Sequence, residues 1–260
     1  MKLFLGIPTG GSPAAGFLES VARMEVPDGV RQVARLTCSG NFVPAQRELI
    51  AHRALAWGAD ILAMIDDDMI LPSGALVELC ATLIADPRCA MVGALYYSRD
   101  GFRPMAVDGW KSEATASGWI PAFDDRTPVC VDGVGFGCVA IRVASMATLP
   151  RPIFRTQVYV EEAAARVRIC NEDYLFCASL RAIGYGILLH PGVRCGHYDR
   201  ATGRTVPEEW PPPEVTNAKR MAVRLPDGTA ELVPLEQRVA TVRERHVTAS
   251  LEYIFVDDAG

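Results

Sequence analysis

The sequence predicts an α/β fold, a mostly parallel sheet flanked by helices, and three observations predict it. Apolar runs of strand length alternate with segments of helical periodicity over the first hundred residues, in the order β-α-β-α-β. One run, Asp60-Ile61-Leu62-Ala63-Met64-Ile65, stops at Asp66-Asp67-Asp68, as a buried strand does when it delivers carboxylates to its exposed carboxyl end. The chain has 260 residues, 50% of them hydrophobic and 22% charged, enough for one large layered domain with an appendage.

In chain order, Lys2 to Ile7 reads as a strand, and Pro8-Thr9-Gly10-Gly11-Ser12-Pro13 as the loop that ends it. That loop is neither a G-x-G-x-x-G fingerprint nor a G-x-x-x-x-G-K phosphate loop, so the common dinucleotide and ATP readings lose support. Residues 14 to 24 follow as a helix and Val30 to Leu36 as a second strand. Asn41 to Trp57 is a helix with Leu49, Ile50, Ala54 and Trp57 at helical spacing, stopped by Gly58. Beyond the acids, Pro72 and Ser73 open a helix whose stripe is Leu76, Leu79, Cys80, Leu83 and Ile84, and Asp86-Pro87 ends it.

Cys89 to Tyr96 is another strand. From Tyr97 to Thr127, Trp110, Trp119 and several glycines sit among charged residues, a composition suited to long functional loops. Val129 to Val134 restores a strand, Gly135-Phe136-Gly137 breaks it, and Cys138 to Met146 returns to apolar packing. Residues 151 to 168 carry no clear period and read as a mobile flap. Asn171 suits an N-cap, with Glu172 and Asp173 in the first turn of a helix that runs to Gly184. Tyr185 to His190 is a short strand leading to Cys195-Gly196-His197-Tyr198-Asp199.

Pro207 to Pro213, with three successive prolines, favours an extended linker. Pro226-Asp227-Gly228 then suits a hairpin turn and Val233 to His246 a helix. The expected division is a catalytic domain over 1–205 and a linker with an accessory tail over 206–260. That tail is either strapped across the domain or used to form a homo-oligomer.

A net charge of −5 and a pI near 5.5 argue against a nucleic-acid partner, which needs a basic stripe. The start, Met1 to Pro8, is too short an apolar run for a secretory signal, and no stretch approaches a membrane span. Eight scattered cysteines without a C-x-x-C pair read as reduced core residues of a cytoplasmic protein; a zinc site from Cys195 and His197 lacks paired spacing.

Three adjacent carboxylates repel one another, so their gathering at a strand end calls for a cation or a sugar hydroxyl network. The alternative is a solvated acidic turn. Glu172 and Asp173 likewise either complement a helix macrodipole or perform chemistry. His197 is open to a structural role or a ligand role.

Together, the strand ending at Ile7-Pro8-Thr9, the helix carrying Arg47, the run into Ile65-Asp66-Asp67-Asp68-Met69, the segment Asp132 to Gly137, the pair Glu172-Asp173 and the late His197 resemble the GT-A-fold nucleotide-sugar glycosyltransferases, particularly their inverting bacterial members. The resemblance spans about residues 1 to 200. It implies a Rossmann-like GT-A sheet and makes Asp66-Asp67-Asp68 similar to the D-x-D motif. Asp66 is then near the ribose or metal, Asp68 is a ligand of the divalent cation, and the register leaves the separate roles of Asp66 and Asp67 open. Pro8, Thr9 and Gly10 match the base-pocket loop, Arg47 a basic residue near the nucleotide, Asp173 the general base of the Glu172-Asp173 pair, and His197 the completing metal ligand.

The chemistry agrees with these implications. A nucleotide-diphosphate leaving group needs its developing charge neutralised, which Mg²⁺ or Mn²⁺ accomplishes, and an imidazole ligand tilts the choice toward Mn²⁺. A carboxylate opposite the leaving group can take the acceptor's proton in one inverting displacement. The Q-x-x-R-W signature of processive synthases is absent, so the expectation is transfer of a single sugar, from a UDP-sugar by default, to a hydroxyl of a glycan, protein or small molecule. Gly135, Phe136 and Gly137 are the expected acceptor floor, or else a structural bend. Two rivals are a nucleotidyltransferase on the same fold and a non-catalytic nucleotide-sugar-binding module.

Overall fold

Lys2–Thr9 forms strand β1, buried along most of its length because apolar side chains leave it on both faces. This is a computed structural model, and it describes residues 1–99, 103–108, 123–124, 126–161, 166–208, 220–224 and 230–234. After β1 come α1 (Ala15–Ala22), β2 (Gln32–Ser39), α2 (Val43–Trp57), β3 (Ile61–Ile65), β4 (Met69–Ile70), α3 (Ala75–Ala85) and β5 (Cys89–Leu95). The middle of the chain supplies β6 (Ala106–Val107), β7 (Val129–Val131), β8 (Gly133–Val134), β9 (Cys138–Arg142), α4 (Val143–Met146), β10 (Gln157–Glu161) and β11 (Arg166–Cys170). Then follow α5 (Glu172–Ala182), β12 (Gly186–Arg194), β13 (Gly196–Asp199), β14 (Arg204–Val206), β15 (Arg220–Arg224) and β16 (Ala230–Pro234).

The main sheet has seven strands in the order β2-β1-β3-β9-β5-β12-β7. Five run the same way; β9 lies antiparallel between β3 and β5, and β7 lies antiparallel on the edge of β12. The expected mixed α/β class, a mostly parallel sheet between helices, is the observed one. Phe4 of β1 faces Ile50 and Ala54 of α2, in a layer shared with Phe176 and Leu180 of α5. Leu3, Leu5 and Ile7 face the other way, toward Phe17 of α1 and Leu76, Leu79 and Leu83 of α3. Gly6 lets α2 approach this closely, since a Cβ there would sit 2.2 Å from Ile50 Cγ2. Gly58 takes the left-handed conformation (φ 70°) that closes α2.

Several sequence expectations are corrected by this packing. The segment expected as a flap contains an antiparallel hairpin, β10 with β11, in which Tyr159 and Cys170 pack beside Leu175 of α5. Its opposite face presents Val158, Val160, Val167 and Ile169, each 58–67% exposed. Strand β12 does not stop at His190 but continues to Arg194, absorbing Pro191 and Gly192 in a register shift against β5. The strand expected at Val129 to Val134 divides at Asp132, whose N–H donates to Val107 O, so that β8 leaves the main sheet to pair with β6. Cys138 to Met146 is strand β9 followed by the single turn α4. Asn171 stands at the N-cap of α5, but its side chain makes no capping hydrogen bond.

Strands β4, β13 and β14 make a separate three-stranded sheet over the carboxyl edge of the main one, and its register sets His197 opposite Met69. Strand β14 ends at Val206, so the expected boundary at 205/206 falls inside a strand. Strands β15 and β16 pair around residues 225–229, where the hairpin turn was expected. Val233 and Pro234, expected to open a helix, belong to β16; the rest of that helix, Pro226-Asp227-Gly228, Trp110 and Trp119 lie outside the described residues. Among the described residues no helix is long and apolar enough to cross a membrane.

Candidate active site

The apolar side chains of β3 are fully buried, and the strand ends where its chain turns at the sheet edge. Three neighbouring elements hold the backbone of the acidic triplet there. Asp66 N–H donates to Gly137 O (3.0 Å), Ala14 N–H at the start of α1 donates to Asp67 O (3.0 Å), and Tyr198 N–H of β13 donates to Asp68 O (2.7 Å). The three carboxylates consequently diverge, and each meets its own guanidinium.

Asp66 accepts from Arg47 Nη2 through both oxygens, at 2.8 and 2.9 Å. Arg47 Nη1 donates to Glu172 Oε1. The same arginine therefore ties the end of β3 to the first turn of α5. With its side chain only 5% exposed, burial works to lower its pKa, but the carboxylates of Asp66, Glu172 and Asp173 more than reverse that, and it holds its proton firmly. Burial pushes the Asp66 carboxyl up, opposed by Arg47. Arg47 was expected beside the nucleotide. Both of its Nη atoms are instead committed to carboxylates, the buried Glu172 and the partly exposed Asp66.

Asp67 accepts from the Thr9 hydroxyl and from Arg200 Nη2 (2.6 Å), and Arg200 Nη1 donates to Ser12 O. These bonds fix the loop after β1, where Gly11 N–H donates to Thr9 Oγ1 (3.0 Å). Pro8 is buried within β1, Thr9 is committed to Asp67, and Gly10 is the exposed residue of the expected base-pocket loop. Gln46 clamps the loop from α2: its Oε1 accepts from Thr9 N–H (2.8 Å), while Nε2 donates to Thr9 O (3.2 Å) and Gly40 O (2.7 Å).

Asp68 accepts from Arg99 Nη2 (2.6 Å), and its Oδ2 lies 3.6 Å from His197 Nε2. Burial would raise this carboxyl, but the hydrogen bonds from His197 and Arg99 prevail and hold it below the usual carboxylate range. His197 Nδ1 is 2.8 Å from Tyr97 O, which makes Nδ1 the donor and turns Nε2 toward Asp68. A proton on Nε2 completes this pair, and with the ring neutral a cation placed between Nε2 and Oδ2 would do the same.

Asp68 and His197 thus fit two ligand positions of a divalent ion. Asp66, expected as a third ligand, has both oxygens engaged by Arg47. Among the described residues no group of three or more His, Cys, Asp or Glu forms a metal cluster, so a cation held here needs its remaining ligands from substrate and water.

Asp173 sits in the first turn of α5, nearly buried, with Oδ1 accepting from Tyr174 N–H (2.8 Å). Burial pushes its carboxyl up to about 7 against the pull of Arg47. A carboxyl that titrates near neutrality is suited to take a proton.

Gly135, Phe136 and Gly137 do not form an open floor for an acceptor. Phe136 is 1% exposed, lies edge-on to Phe154 and Phe176, and has the Arg47 guanidinium 5.0 Å above its ring. The glycines make room for Tyr96: a Cβ on Gly135 would fall 2.2 Å from Tyr96 Oη, which in turn accepts from Gly137 N–H (3.1 Å). The segment is the structural bend, and it positions Asp66 through Gly137 O.

Arg99, Arg200 and Gln46 were missed by sequence reasoning. Arg99 sits in a stretch without periodicity, Arg200 follows a strand end more than a hundred residues from its partner, and Gln46 looked like one more polar position on a helix.

Solved structures similar to this chain include the following two. The crystal structure of A197 from STIV aligns with a TM-score of 0.55 at 17% identity, covering 89% of this chain and 94% of that one. The crystal structure of GalNAc-T7 with UDP, GalNAc and Mn²⁺ aligns with a TM-score of 0.51 at 13% identity, covering 75% of this chain and 43% of that one. No protein-family model and no curated protein matches the sequence. At such identities the likeness establishes the fold, a GT-A, Rossmann-like mixed α/β sheet, and function rests on the residues.

Proposed function

We propose that the protein is a divalent-metal-dependent glycosyltransferase that moves one sugar from a nucleotide-diphosphate donor to an acceptor hydroxyl with inversion. One observation carries the reading. Side chains from five separate stretches of chain meet at the carboxyl edge of the sheet, where open α/β folds bind ligands: Arg47 gathers Asp66, Glu172 and Asp173, and Asp68, two residues along the same acidic triplet, gathers Arg99 and His197. The GalNAc-T7 structure, which contains UDP, GalNAc and Mn²⁺, supports the donor class and UDP as the default carrier.

Asp68 and His197 hold the cation, and the imidazole favours Mn²⁺ over Mg²⁺. When bound, that ion neutralises the charge on the departing diphosphate. Asp173 takes the proton of the attacking hydroxyl. Glu172, clamped by Arg47, fixes the first turn of α5 so that the base is aimed. Asp67 orders the loop whose Thr9 and Gly10 border the nucleoside, and Asp66 faces the ribose side. The acceptor is a hydroxyl of a glycan, protein or small molecule in the cytoplasm, and the accessory segment over 206–260 serves self-association.

The Asp68→Ala variant tests this directly. Donor turnover is expected to fall at least about a hundredfold, in line with loss of a charge-stabilising group, with the far-UV circular dichroism unchanged. Undiminished turnover in Asp68→Ala, or in EDTA, refutes the reading. A nucleotidyltransferase gains some support from Arg200, which brings to the Ser12 carbonyl a positive charge that the loop lacks in sequence. Release of pyrophosphate from a nucleoside triphosphate would decide for it.

A further inference from the structure

Arg99 Nη2 and His197 Nε2 address the same atom, Asp68 Oδ2, at 2.6 and 3.6 Å. The carboxylate is buried, with its side chain 8% exposed, whereas the Arg99 side chain is 55% exposed. The two partners of this ion pair are therefore held very differently. Asp68 is fixed by its backbone and its surroundings; Arg99 can swing into water at small cost. A dication drawing on Oδ2 and a guanidinium donating to the same oxygen would stand close together in a poorly solvated place, where like charges repel strongly.

The segment that carries Arg99 is anchored independently of that ion pair. Met105 N–H donates to Tyr96 O (2.9 Å) and Ser98 N–H to Arg103 O (2.8 Å), while Tyr97 O fixes the imidazole of His197. Two residues after the carbonyl that orients one ligand, the chain thus places an exposed cation on the other.

We propose that Arg99 and the divalent cation are alternative partners of Asp68, and that Arg99, once displaced, binds the diphosphate of the donor. The inference rests on the reading of Asp68 and His197 as cation ligands. Its chemistry is that of exchange: one positive group neutralises the buried carboxylate until another replaces it, and the released guanidinium, a planar fork, suits phosphate oxygens. No side chain other than Arg99 has to change partner. Cation binding and diphosphate binding become coupled through this single arginine, because the ion frees the group that grips the leaving phosphates.

The test measures Mn²⁺ affinity of the full chain without nucleotide, from the electron paramagnetic resonance signal of free Mn²⁺, for wild type, R99Q and R99K. R99Q is expected to bind Mn²⁺ about tenfold more tightly, the scale of one charge-assisted hydrogen bond on a half-exposed guanidinium, while R99K stays near wild type. UDP affinity at saturating Mn²⁺ is expected to move the opposite way, falling about tenfold in R99Q. In EDTA, R99Q is expected to melt below wild type, and saturating Mn²⁺ should close the gap. Equal or weaker Mn²⁺ binding by R99Q overturns the exchange and leaves the metal site standing; no Mn²⁺ binding by any of the three proteins overturns both.

Discussion

Replacing Arg47 by methionine is expected to lower the unfolding free energy by roughly 3–5 kcal/mol at pH 7, the range found when one partner of a buried ion pair is removed. Methionine keeps most of the apolar stem, so lost packing contributes little, though the guanidinium over the Phe136 ring goes with the charge. What remains is two carboxylates, Asp66 and Glu172, without the guanidinium that both of them contact. Burial already pushes Asp66 up, and removing its main counter-charge pushes it further. The sign follows from linkage. A carboxyl whose folded-state pKa is raised destabilises the fold as pH climbs from its unfolded value through its folded one. The variant's deficit is therefore larger at neutral than at acidic pH, where Asp66 is protonated. Urea unfolding at both pH values measures it, and adding Glu172→Gln to Arg47→Met should recover part of the loss. A deficit below about 1 kcal/mol would place Arg47 with ordinary surface ion pairs.

The Asp173→Asn variant is expected to lose about 10²- to 10⁴-fold in turnover, the usual contribution of a positioned general base. It also moves stability the other way. Burial carries the Asp173 carboxyl from 3.8 to about 7 in the folded protein. Below pH 4 both states hold the proton and the group is neutral in its effect; between pH 4 and 7 the folded state holds the proton that the unfolded state has lost, and stability declines; above pH 7 the full penalty is present. That displacement corresponds to roughly 4 kcal/mol at most. Asparagine carries no such charge, so the variant should be more stable than wild type at pH 8 and nearly equal to it at pH 4. The rate profile supplies a second check. Wild-type kcat/KM should rise with pH through a limb near 7, because the base acts ionised, and Asp173→Asn should lose that limb. A variant that keeps full turnover removes Asp173 from the chemistry.

The sheet was legible because burial on both faces leaves an unmistakable mark: Ile61 to Ile65 is apolar at every position, and the run stops where the strand leaves the core. The acidic triplet was legible for a related reason, because it interrupts that apolar run where the strand ends. The antiparallel insertion of β9 was not legible, because Cys138 to Ile141 is apolar whichever way it runs. The hairpin β10–β11 was overlooked although Val158, Val160, Val167 and Ile169 alternate with Gln157, Tyr159, Glu161, Arg166 and Arg168; its aliphatic face is the exposed one, the reverse of what alternation usually marks. Phe136 illustrates a harder limit. An aromatic between glycines has the same appearance in sequence whether the ring faces a ligand or, as here, lies under an arginine. Arg99 and Arg200 show the hardest, because a lone arginine in a loop gives no sign of the carboxylate it will meet across a fold.

Thermal unfolding of the full chain with UDP-sugars, in Mn²⁺ and again in EDTA, tests the central claim most directly. A ligand that binds only the folded state at a hundred times its dissociation constant adds about 2.7 kcal/mol, or roughly 5–10 °C for a domain of this size. The account predicts a rise of that order for at least one nucleotide-diphosphate sugar in Mn²⁺, abolished by EDTA and by Asp68→Ala. A rise that survives both, or no rise with any nucleotide-diphosphate sugar, would contradict it.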